Sequence, residues 1–226
     1  MKRLHLAALC LLLCCGPVSA AEYGRHDLRS ILTVSETASG KTHGLDLQAL
    51  DRIIEDMAVH ARNYPPQFDT DADRQRAAAD IGALSRMLGV LTDSPQAQPA
   101  ILLRAGFLNS MGHNLDVPGA AEKAVLNFEK LLTLDPANAR GNLMYGTFLA
   151  GAGRGKQALP YLQKALSLGV ADAHYPLGLA YLSLRDKRKG LEHLEAYLAQ
   201  HPGDADANQL VKAIRSGKME FRQGGG

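Results

Sequence analysis

From residue 46 onward, apolar side chains recur at intervals of three and four, the spacing that gathers them on one side of an α-helix. Leu47, Leu50, Ile54, Met57, Ala58 and Ala61 make the first such stripe. It predicts a helix that Tyr64-Pro65-Pro66 stops, because proline fixes φ and removes an amide donor. A second stripe, Ala77, Ile81, Leu84, Leu88 and Leu91, predicts another helix with Asp73 as its cap. Together these form an N-terminal helical hairpin over residues 45–93. Ser94-Pro95 then reads as a cap followed by a first-turn proline, opening a long third helix. Residues 21–44 show little periodicity and are rich in Ser, Thr, Gly and charge, which predicts a flexible arm. Leu28, Ile31, Leu32 and Val34 are its candidate docking residues, and a strand or partner-binding peptide is the alternative.

The second half repeats itself and shows no strand-like alternation. Met111-Gly112, Tyr145-Gly146 and Leu177-Gly178 are spaced by 34 and then 32 residues, and Ala124, Ala158 and Gly190 keep the same intervals. LLTLDP from Leu131, ALSLGV from Ala165 and YLAQHP from Tyr197 fall in that register too. A period of this size marks a stack of supersecondary units, each unable to bury its apolar side alone. Every unit reads as two helices. Leu143, Tyr145, Phe148 and Leu149 mark a first helix, and Val125, Phe128, Leu131 and Leu132 a second. Turn residues separate the two around 114–119, 151–155 and 185–186.

With three units in one register, the sequence resembles the tetratricopeptide repeat family. That family's 34-residue pattern asks for an aromatic, a Leu-Gly pair, a Tyr, an Ala, a Phe, a second Ala and a terminal Pro. Unit one, about 105–138, presents Leu108, Met111, Gly112, Leu115, Ala124, Phe128, Leu131 and Pro136. Unit two, about 139–170, presents Asn142, Tyr145, Gly146, Leu149, Ala158, Leu162, Ala165 and Val170. Unit three, about 171–204, presents His174, Leu177, Gly178, Tyr181, Gly190, Leu194, Tyr197 and Pro202. No unit has the first aromatic, and unit two lacks the Pro and is two residues short; these departures bear on the stacking angle rather than the repeat class. The fold expected is all-α: an α-solenoid of three tetratricopeptide-like hairpins within 95–216, with the N-terminal hairpin before them. A C-terminal capping helix ending near residue 216 would close the open apolar end, with Leu210, Val211 and Ile214 on its buried side. Residues 217–226 read as a mobile tail.

The extreme N-terminus predicts a destination. Lys2 and Arg3 precede an apolar run over residues 4–15, then Gly16-Pro17 and the small residues Val18-Ser19-Ala20. This is the layout of a secretory signal peptide over 1–20, cut after Ala20, and it implies export to the periplasm of a bacterial envelope. All three cysteines, Cys10, Cys14 and Cys15, fall inside it, so the mature chain would have no disulfide or thiolate chemistry. Lipid anchoring through Cys15 is a lesser alternative, because Leu13 and Cys14 fit the preceding positions of a lipoprotein signal poorly. The whole chain has 25 Lys and Arg against 23 Asp and Glu; without Lys2 and Arg3 the charges balance, which argues against a nucleic-acid partner.

Candidate chemistry is sparse. Gly151–Gln157 carries glycines and Lys156, but a phosphate-binding loop needs four residues between its glycines and Ser or Thr after the Lys. No two of the seven remaining histidines sit four apart, HExxH is absent, and no GxSxG elbow occurs. No enzyme, cofactor or metal is therefore expected. The family resemblance implies instead a concave groove lined by the first helices, taking a peptide or helix of a partner protein. By position this groove would include Asn109, His113, Arg140, Leu143, Thr147, Tyr175, Leu179 and Leu182. The Lys/Asn/Arg clamp by which some members hold a terminal carboxylate is not reproduced. Arg154 and Lys156 in one intra-unit turn, and Arg185, Lys187, Arg188 and Lys189 in the next, are candidates for a stripe facing an anionic partner, which Asp116 breaks in unit one; ordinary solvated turns are the alternative. The expected function is a protein–protein interaction scaffold in the cell envelope, with any peripheral membrane association expected to run through a partner. The alternative is a ligand-binding or weakly catalytic accessory protein, with the N-terminal hairpin as a lid over the groove.

Overall fold

The computed structural model describes residues 22–37 and 40–217; the expected leader and most of the expected tail lie outside them. Nine α-helices follow one another among the described residues: α1 (Leu47–Ala61), α2 (Asp71–Thr92), α3 (Pro99–Asn114), α4 (Ala120–Leu134), α5 (Ala139–Gly151), α6 (Gly155–Ser167), α7 (His174–Ser183), α8 (Lys187–Gln200) and α9 (Ala205–Arg215). The fold is an all-α solenoid of helical hairpins.

Local chemistry sets the ends. Asp46 caps α1 by accepting from the amides of Gln48 and Ala49, and Asn138, Asp186 and Asp204 cap α5, α8 and α9 in the same manner. Two predicted starts shift. Thr70, not Asp73, caps α2, while Asp73 lies inside the first turn, buried and paired with Arg76. Ser94-Pro95 forms a separate turn, and the first-turn proline of α3 is Pro99. Unit one therefore begins about six residues before the repeat register places it.

Contacts repeat along with the sequence. A Cβ on Gly146 would lie 2.5 Å from Leu162 Cγ, and one on Gly178 2.7 Å from Leu194 Cγ. Both residues of the pair shift by the same 32 positions, so the close approach within a hairpin is itself a repeating feature. α1 and α2 extend the stack. Arg104 bonds Asp51 and Asn114 bonds the carbonyl of Ala61, both at a separation of 53, so α1 runs parallel to α3. Lys123 reaches Ser85 and Lys130 the carbonyl of Thr92, both at 38, so α2 runs parallel to α4. The N-terminal hairpin thus occupies the place of a unit before unit one. It continues the row and does not lie over it as a lid.

The expected flexible arm is also corrected. Residues 28–31 form a short 3-10 turn, and β1 (Leu32–Thr37) pairs antiparallel with β2 (Gly40–Leu45), Leu32 opposite Leu45 and Val34 opposite His43. Tyr23 is 1% exposed and Ile31 fully buried against α1 and α2. The Tyr23 hydroxyl donates to Asp80, Arg76 donates to the Tyr23 carbonyl, and Gly24 N donates to Asp56. A solenoid end exposes apolar surface that something must cover. Here two isolated anchors on an extended strap do so, and isolated anchors leave no periodic trace. At the other end α9 covers α8, placing Val211 and Ile214 against Leu182 and Leu194.

Candidate partner-binding face

The first helices of successive units, α3, α5 and α7, bury the side that carries the glycine markers and leave another side open. On α5 the open side presents Arg140, Leu143 and Thr147, spaced by three and four, with Arg140 and Thr147 exposed and Leu143 half-buried. On α7 it presents Tyr175, half-buried, and Leu179, 37% exposed. His113 near the end of α3 is exposed, and its ring meets Phe148 of α5 edge-on at 5.7 Å. The Tyr175 ring lies 5.1 Å from that of Tyr197. Desolvation, and then the charge of Asp204, raises the Tyr175 phenol above its ordinary pKa. Tyr197 is pushed up to about 12 by burial and by its hydrogen bond to Asp204. Both phenols are therefore neutral hydrogen-bonding groups at physiological pH.

Two predicted groove residues do not belong to this face. Asn109 is 2% exposed, accepting from Ser85 Oγ and donating to the carbonyl of Ala105. Leu182 is 3% exposed, inside the cluster that α9 closes. Each faces an element added to an end of the array, α2 before unit one and α9 after unit three, which covers what a bare repeat would leave open.

The basic turns are where the repeats predict. Arg154, Lys156, Arg185, Lys187 and Arg188 are exposed, while Lys189 is half-buried with its ammonium 5.0 Å from the Tyr181 ring centroid. Arg188 pairs with Glu192 at 3.5 Å. The Gly151–Gln157 segment joins the end of α5 to the start of α6: Gly153 takes φ 74° in the turn, and Gly155 allows close approach to Ser183 of α7.

Sequence reasoning missed two arrangements. His174 Nδ1 and His193 Nδ1 lie 2.9 Å apart across the α7–α8 hairpin, with the His193 ring stacked on Tyr181. Burial, reinforced by His174, holds His193 below the usual histidine pKa. Nineteen residues separate the pair, so only knowing that α7 and α8 fold back on each other would have suggested it. The second is a cavity of about 550 Å³ between the β-hairpin and the ends of α1, α2 and α3, lined by Leu32, Leu45, Leu47, Met87, Leu91 and Ile101 among others. Among the described residues, no three His, Cys, Asp or Glu side chains converge as a metal site, and no helix is long and apolar enough to cross a membrane.

Parallel first helices, repeated glycine contacts and capped ends define an all-α helical-repeat solenoid of tetratricopeptide-like hairpins. No family model matches the chain, and neither does any curated protein sequence. Among solved structures, the chain is similar to the crystal structure of MamA: the two share 24% identity, with 67% of this chain and 86% of that one covered and a TM-score of 0.53. This likeness is one of fold.

Proposed function

We propose that the chain is a non-enzymatic scaffold of the cell envelope that holds a peptide or helix of a partner protein along its first-helix face. The observation that carries this reading is the open stripe on α5 and α7. Arg140 and Thr147 offer polar contacts beside the apolar Leu143, Tyr175 and Leu179, on helices fixed by packing on their other side. A rigid surface mixing an aromatic, an aliphatic and a cation suits an amphipathic segment, which pays less entropy when it docks on a preformed site. Export to the periplasm, which rests on the leader's composition, sets the compartment in which the partner is sought. The test is a crosslinking pulldown from that compartment with wild type and Arg140→Glu/Tyr175→Ala. Loss of a partner from the double variant is expected. Unchanged recovery of every partner would move the site to another surface, and fractionation to the cytoplasm would overturn the envelope assignment.

A further inference from the structure

The edge of the solenoid formed by the α5–α6 and α7–α8 turns breaks two local rules of helix chemistry at once. The positive end of a helix dipole favours acidic residues in the first turn, as Asp71 and Asp73 of α2, Glu122 of α4 and Asp206 of α9 illustrate. By contrast, α6 opens with Arg154 at its cap, making no side-chain capping bond, and Lys156 follows; α8 has Asp186 as its cap but fills its whole first turn with Lys187-Arg188-Lys189. The second violation is in the backbone. Each first helix ends in a six-residue loop closed by a bond back to Gly112, Leu149 or Tyr181, with one residue in the left-handed region. That residue is Asp116 in unit one and Gly153 in unit two, both tolerated there, but Arg185 in unit three, at φ 64°. Where local choices oppose stability without structural return, function is the physical explanation to test.

The two turns are neighbours, because Gly155 packs so closely on Ser183 and the Ala180 carbonyl that an added Cβ would collide with Ser183 Oγ. Arg154, Lys156 and Arg185 make no ion pair among the described residues. Leu184, beside Arg185, is 43% exposed. We infer that this edge docks on an anionic phospholipid surface. The tips of units two and three, aligned on one side of the stack, meet a plane together, while the unit-one tip carries Asp116, paired with Arg74, and ends the cationic edge there. A protruding leucine among cations suits the boundary between headgroups and acyl chains, while a nucleic acid offers it nothing apolar. The surface is separate from the first-helix face and does not depend on the partner proposed there.

The test is sedimentation of the full chain with vesicles of equimolar phosphatidylglycerol and phosphatidylcholine, against phosphatidylcholine alone. Wild type is expected to bind the anionic vesicles only, with binding collapsing as salt rises from about 0.1 M to about 1 M. Arg154→Glu/Arg185→Glu should lower partitioning at least about tenfold. Arg86→Glu/Lys164→Glu, the same charge change at exposed positions away from this edge, should lower it less than about twofold. Arg185→Gly separates binding from folding: glycine relieves the left-handed backbone, so this variant should melt higher while binding more weakly. Equal binding to neutral vesicles, equal loss in the control variant, or edge-dependent binding to duplex DNA with none to vesicles would each overturn the inference.

Discussion

Truncating Tyr23 to alanine tests whether the N-terminal strap is what closes the solenoid. The ring is 1% exposed and packs edge-on against His26, His60 and Phe68 at centroid distances of 5.2, 5.8 and 6.1 Å, with the Arg76 guanidinium 5.4 Å from its centroid. Deleting a buried aromatic of this kind removes about 3–5 kcal/mol. The lost hydroxyl bond to Asp80 accounts for about 1 kcal/mol of that, since Asp80 is half-buried and water can replace the donor. Tyr23→Phe isolates this smaller part. In a stack coupled only between neighbours, the loss should stay local. Hydrogen exchange followed by mass spectrometry should show α1 and the N-terminal half of α2 losing about two to three orders of magnitude of protection, with α5 to α8 unchanged. Unaltered exchange in α1 would show that the strap is an ornament and that the hairpin closes itself. Uniform loss across all nine helices would refute the neighbour-only coupling on which the magnitude rests.

Two glycine substitutions should have opposite signs in chemical denaturation. Gly146→Ala, whose Cβ would press on Leu162 and its backbone nitrogen, should destabilise by about 1–3 kcal/mol, whereas Gly89→Ala in α2, with nothing within 4 Å, should stabilise by about 0.5–1 kcal/mol. Asn109→Ala strips Ser85 and the Ala105 carbonyl of a buried partner; it should cost about 1–3 kcal/mol of stability yet leave partner capture intact, because the residue is not on the face. The His174–His193 pair makes stability depend on pH. His193 is held below its ordinary pKa by burial and then by His174, Lys189 adding to this and Glu192 opposing it. The unfolded chain therefore takes up a proton that the folded chain resists. The resulting stability is present above about pH 6.5 and is lost as pH falls below it through the depressed folded pKa. Denaturation midpoints of His193→Gln should vary less over that window than those of wild type, and parallel profiles would refute the assignment.

What the sequence displays is what its own periodicity encodes. Each repeated contact joins residues a short, fixed distance apart, such as Gly146 with Leu162 and Gly178 with Leu194, so the register of one unit foretells the next. The contacts that escaped are single and distant. Tyr23 meets Asp80 across 57 residues, and Lys130 closes the α2–α3 junction by donating to the carbonyls of Thr92 and Ser94. On the candidate face the same division holds. Arg140, Leu143, Thr147, Tyr175 and Leu179 lie where repeat position implies. Asn109 and Leu182 do not, because the elements that bury them, α2 and α9, stand outside the repeat register.

The irregular N-terminal hairpin then changes the size of the face. Its linker, residues 62–70, and its 22-residue second helix break the 34-residue spacing, which hides the unit from any search by period. Neighbour-only packing constrains helix order and direction but not linker length, so the stack accepts the insertion without losing alignment. The constant separations of 53 and 38 residues record that alignment. As α1 runs parallel to α3, its exposed residues Gln48, Arg52, Glu55 and Val59, spaced by four, three and four, prolong the row of first helices from three members to four. Val59 is 64% exposed. A partner segment long enough to reach it would feel Val59→Asp as well as Arg140→Glu, while a segment confined to units two and three would feel only the latter. The ratio of the two losses in a pulldown therefore measures how much of the row is occupied.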